Sequence, residues 1–146
     1  MEYRKYADTY YIRFDRGDEI IQGILDVCRK EEIHSSVYSG IGGCEGAEIQ
    51  TCNPATGQFD IHRVVGMLEL VSLNGNVMLN TDGEYTHHTH ALFSYQEHRE
   101  YRVIAGHIKS ATVLYTAEVE LRPVIGGEIR RSYDKQNRTR YWDFAD

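Results

Sequence analysis

The sequence predicts a mostly antiparallel α+β fold, a single domain in which one helix covers a sheet. Three observations carry that expectation. Only one segment has helical periodicity, and the rest reads as short β-rich runs between turn residues. Eleven tyrosines and thirteen glycines favour strands and turns. At 146 residues the chain suits one domain with a real core.

The elements follow in order. Residues 9–14, TYYIRF, alternate loosely and are aromatic, as strands are. In RGDEIIQGILDVCRKEEI, Asp18 is the expected N-cap and Glu19 suits a first turn. Ile20, Ile21, Ile24, Leu25 and Cys28 follow helical spacing and form one apolar stripe, while Gly23 costs the helix about 1 kcal/mol. Residues 35–41 read as a strand closed by Gly42-Gly43, residues 47–52 as another, and 53–57 as a turn. Residues 59–73 are long for one strand, so a bulge or bend is expected near Gly66. Asn74-Gly75 is a strong two-residue hairpin signal. Residues 77–80, 88–94, 101–108 and 111–121 complete the strands. After Pro123 the chain turns polar, and Tyr141, Trp142 and Phe144 near its end suggest docking on the domain or on a neighbouring subunit.

Composition narrows the function. A net charge of −6 argues against a nucleic-acid binder that uses its whole surface. No window is apolar enough for a membrane span, and the start MEYRKYADTYY lacks a signal peptide's apolar core, so a cytoplasmic protein with no membrane partner is expected. Cys28, Cys44 and Cys52 form no CxxC pair and read as reduced structural thiols.

The chemistry concentrates in TDGEYTHHTHALFS, residues 81–94. In a strand, His88 and His90 share a face, with Cα atoms about 6.6 Å apart, so both imidazoles can reach one ion at about 2.0–2.1 Å. His87 points to the opposite face. The best third ligand is His107, at the end of the next predicted strand. Three imidazoles leave a position open, as catalytic zinc sites do, and they suit zinc or another divalent metal. Glu118 is a candidate to orient a ligand imidazole from behind. Glu84 and Glu97 flank the cluster, but nothing selects either as a general base. His34, His62 and His98 have no partner at ligand spacing.

Taken together, RFDRGDEIIQGILDVCRKEEI, SSVYSGIGGCEGAEI, DGEYTHHTHALFS and AGHIKSATVLYTAEVEL resemble the plant and prokaryote conserved (PPC) family. The matching positions are Gly83, His88-Thr89-His90-Ala91, Gly106-His107 and Ala117-Glu118-Val119. Ala105 stands where the family's GGH turn has its first glycine. The resemblance implies a domain over residues 1–124 and a polar extension over 125–146. It implies an α+β fold with a mixed, largely antiparallel sheet, assembled as a homotrimer. It also implies that His88, His90 and His107 line a divalent-metal site, with zinc the leading expectation.

Prokaryotic members of that family carry a DNA-binding label that belongs to plant relatives with a separate AT-hook, and this chain lacks the Arg-Gly-Arg-Pro core of such a hook. DNA remains a possible partner through the resemblance. Its contacts would be Arg130, Arg131, Lys135, Arg138 and Arg140, interleaved with Tyr133 and Tyr141. The competing enzyme reading is a hydrolase or lyase acting on a small substrate through a metal-bound water. A cupin is disfavoured, because the glutamate after HxH and the PxGxxH segment are missing.

Overall fold

The computed structural model describes residues 1–80, 82–136 and 139–144. Its elements are β1 (Glu2–Tyr6), β2 (Thr9–Asp15), α1 (Ile20–Lys30), β3 (Ser35–Cys52), β4 (Phe59–Leu79), β5 (Tyr85–Glu97), β6 (Glu100–Pro123), β7 (Ile129–Asp134) and β8 (Thr139–Phe144). The expected α+β class with a mixed sheet is overturned. Strand makes up 72% of the chain and helix 8%, and every strand pairing among the described residues is antiparallel, so the fold is essentially all-β.

The cause lies in strand length. Segments that read as separate short strands are continuous: residues 35–52 form one strand, as do 59–79 and 100–123. Such long strands cannot stay flat, because strand twist accumulates along them. They bend at bulges, including the register shift opposite Gly66, whose φ is +126°. The sheet runs β1-β2-β6-β3-β4-β5, and β5 then pairs back on β6 to close a ring of four strands. β6 organises this closure. One of its edges serves β3, and the other serves β5 near its start and β2 near its end.

Helix α1 sinks its apolar stripe into the core with Ile20, Ile24, Val27 and Cys28, each at most 1% exposed, beside Phe14 and Phe93. Its N-cap is Glu19 rather than Asp18. The Glu19 carboxylate accepts from the amides of Ile21 and Gln22 at the helix start and from Ala111 of β6, so one side chain ties helix to sheet. Asp18 instead accepts from the Asp15 amide and pairs with the N-terminal ammonium. Cys28 and Cys44 are buried free thiols, and Cys52 is exposed.

The Asn74-Gly75 hairpin does not form, because both residues lie inside β4. Gly75 is there for space. The buried Tyr38 ring crosses it, so a Cβ would sit 2.7 Å from the ring and from the hydroxyl, and 2.8 Å from the His88 carbonyl oxygen. Ala105-Gly106-His107 is likewise no turn but part of β6, with Gly106 opposite Ala91.

Candidate metal centre

Strand alternation builds the site. On β5, Thr89, Ala91 and Phe93 point into the core at 2%, 4% and 0% exposure, so the intervening His88 and His90 face outward. The tight turn between β5 and β6 sets the partner. His98 and Arg99 both adopt positive φ, 50° and 67°, the geometry of a two-residue hairpin. Counting back from that turn places His107 directly opposite His90. At this point β6 is flanked on its other side by Gln50 of β3.

The three imidazoles converge. One donor nitrogen from each lies within 4.8 Å of the others. Ring centroids are 4.3 Å apart for His90 and His107, 5.1 Å for His88 and His107, and 5.2 Å for His88 and His90. Phe59 packs on His107 at 5.3 Å, and together with Gln50 and Lys109 these rings line a cleft of about 210 Å³. Burial, reinforced by neighbouring histidines, holds His88 and His107 below the ordinary imidazole range. Both are therefore neutral at neutral pH, the form that ligates a metal.

A second polar layer lies behind the first. His87, on the inner face, bonds through Nδ1 to the Thr89 hydroxyl at 2.9 Å, and Thr89 also bonds to the Tyr38 hydroxyl. Burial, then the nearby Arg131, pushes His87 down to about 4, so it stays neutral in this chain of hydroxyls. No ligand or catalytic spacing singles out Tyr38 or Thr89, and only the three-dimensional crossing over Gly75 reveals their pairing.

Other expected residues lie elsewhere. Glu118 does not reach the histidines. It sits opposite Arg13 of β2 and Ile41 of β3, on the wall of a separate cavity of about 740 Å³. The long β6 carries it away from His107. Glu97 makes an ion pair with Arg102 near the hairpin turn, and Glu84 lies in the loop before β5. Within the polar extension β7 and β8 pair as a hairpin, which the sequence did not show because arginines interrupt the apolar alternation of both strands. Arg130 pairs with Glu128, Arg140 lies over the Tyr133 ring, and Lys135 is in the turn. Arg131 is instead half-buried, donating to Asn76 and Thr86 of the main sheet. Arg138 lies outside the described residues.

Residues 1–125 match the Plants and Prokaryotes Conserved (PCC) domain. The chain belongs to the PCC domain family. Among solved structures, a plant- and prokaryote-conserved protein from Pyrococcus horikoshii is 28% identical, with TM-score 0.80, covering 99% of this chain and 95% of its own. A metal-containing protein from Archaeoglobus fulgidus is 27% identical, with TM-score 0.80, covering 97% and 94%. A Bacteroides thetaiotaomicron protein provisionally described as DNA binding shares the fold at 23% identity, with TM-score 0.88, covering 98% and 96%. No curated protein sequence matches the chain. No helix among the described residues of this PCC-domain protein is long and apolar enough to cross a membrane.

Proposed function

We propose that this PCC-domain protein holds a divalent metal, with zinc preferred, on His88, His90 and His107, and that it works as a homotrimer. The observation that carries the metal reading is the convergence of three imidazole donors within 4.8 Å. Nitrogens around a tetrahedral zinc lie about 3.4 Å apart, so small ring rotations complete the set. Imidazole donors suit zinc, and the related Archaeoglobus protein is called metal-containing. When bound, the ion would supply Lewis acidity at one open position. The chain's own share is to keep His88 and His107 neutral and to hold the rings in place, with Phe59 against His107.

The trimer is supported by apolar side chains left uncovered on a single chain: Val65 is 87% exposed, Tyr101 85% and Val103 66%. The same reading divides the chain into the domain of residues 1–124 and an extension, 125–146. The extension's exposed Trp142 and Phe144 dock on a neighbouring subunit. Mass spectrometry of metals in untagged protein tests the site. A stoichiometric divalent metal is expected, and it should vanish in the double variant His88→Ala plus His90→Ala. Unchanged metal content there would place the ligands elsewhere.

A second reading, DNA binding, is supported by the description of fold relatives and by the basic, aromatic β7–β8 hairpin. Fluorescence anisotropy with a duplex tests it. Phosphate contacts by Arg130, Lys135 and Arg140 would give a log–log salt slope of about −3. An affinity that ignores salt, or the absence of binding at about 50 mM salt, would sink this reading.

A further inference from the structure

The β7–β8 hairpin brings a cation to the edge of the histidine cluster. Arg131 donates to Asn76 and Thr86. Asn76 stands directly opposite His88 in the β4–β5 ladder. Thr86 lies two positions before His88 and so shares its face. The guanidinium is thereby anchored one step from His88, on the surface that carries the metal donors.

Its bonding is incomplete. A guanidinium has five N–H donors, and here two neutral acceptors take one bond each. No carboxylate among the described residues pairs with Arg131, although the chain has 22 acidic residues and the adjacent Arg130 pairs with Glu128. A half-buried cation usually has an anion beside it. The surroundings add to the positive field. Burial, opposed by Tyr38 and reinforced by Arg140, pushes Arg131 below the usual guanidinium range. Trp142 lies opposite Arg131 in the β7–β8 ladder, on the same face of the hairpin. Arg131, Arg140 and Trp142 themselves lie beyond the matched domain, which ends at residue 125.

We propose that Arg131 is the anion-receiving residue of the histidine site. The site's ligand is a small oxyanion, carboxylate or phosphate, held between the three-histidine ion and the Arg131 guanidinium. The ion's part rests on the metal reading above, while the part played by Arg131 is measured separately. The planar fork of arginine accepts two oxygens of either anion.

The chain's one tryptophan, Trp142, is the reporter. Zinc-loaded protein is titrated with inorganic phosphate and, separately, with malonate, following tryptophan emission and heat by calorimetry. Saturable binding is expected with at least one of them, and the preferred anion identifies the source. Arg131→Gln should keep its zinc and lose about tenfold or more in anion affinity. Arg130→Gln removes the neighbouring hairpin cation, which pairs with Glu128 instead of the site, so it should bind the anion within a few-fold of the wild type.

Three results would overturn the proposal: no saturable binding of either anion, unchanged affinity in Arg131→Gln, or an equal loss in Arg130→Gln, which would make the effect one of net charge alone. If the wild type takes up no zinc, the metal reading fails and the bridging arrangement with it. The same Arg131→Gln comparison in metal-free protein then decides the anion-receiving role alone.

Discussion

Replacing His90 with alanine is expected to lower zinc affinity about a hundredfold or more, because removing a ligand exceeds the 10–100-fold effect of losing an outer partner. His90 contributes most because it lies nearest to His107, at 4.3 Å, and shares the β5 face with His88. The side chain is exposed, so the metal-free variant should melt within about 0.5 kcal/mol of the wild type. A competition titration against a chelating dye reads the affinity, and circular dichroism reads the fold.

The pH profile has a definite sign. Protons compete with the metal for each imidazole, so affinity falls as pH falls. Burial holds His88 and His107 below their ordinary value of 6.5. These two ligands therefore give up the metal to protons at a lower pH than ordinary imidazoles would. A wild-type affinity that does not fall between about pH 7 and pH 5, or an alanine variant with unchanged affinity, would contradict the assignment.

Gly75→Ala is expected to destabilise the protein by about 3 kcal/mol, which for a chain of this size lowers the melting temperature by roughly 10 °C. The added Cβ meets the Tyr38 ring and hydroxyl at 2.7 Å and the His88 carbonyl oxygen at 2.8 Å. Tyr38 is 4% exposed and cannot swing away, and displacing it breaks its bond to Thr89, which is 2% exposed. The strain passes directly to the backbone of a metal donor, so zinc affinity should fall with stability. Asn74→Ala, one residue away at an exposed position, is the control and should melt like the wild type. Equal melting of Gly75→Ala and the wild type would show that Tyr38 does not need the gap.

The same glycine explains how the sequence misleads. Asn74-Gly75 carries turn chemistry, yet here the glycine serves a side chain arriving from β3, and no local pattern announces that crossing. Gly42-Gly43 misleads in the same way by marking an end where β3 continues. Fusing these pieces turns an expected α+β protein with a mixed sheet into an antiparallel, essentially all-β one. What was legible depends on local periodicity. The stripe from Ile20 to Cys28 marked the helix, although its cap fell on Glu19 instead of Asp18. Two-residue alternation separated His88 and His90 from His87. Arg131 was legible only as one basic residue in a polar run, because its contacts with Asn76 and Thr86 span a long stretch of sequence.

The hairpin turn at His98-Arg99 also limits how this gene can change length. Because ligands on both arms are counted from that turn, inserting or deleting one codon in either arm between His90 and His107 would turn the ligands of that arm to the opposite face, unless a bulge absorbed the change. Adding two codons to one arm would keep the faces but slide one histidine about 6.6 Å past the other. The loop between β3 and β4 is under no such counting rule. Length variation should therefore collect there and be rare around His98-Arg99, even though both are exposed surface connections.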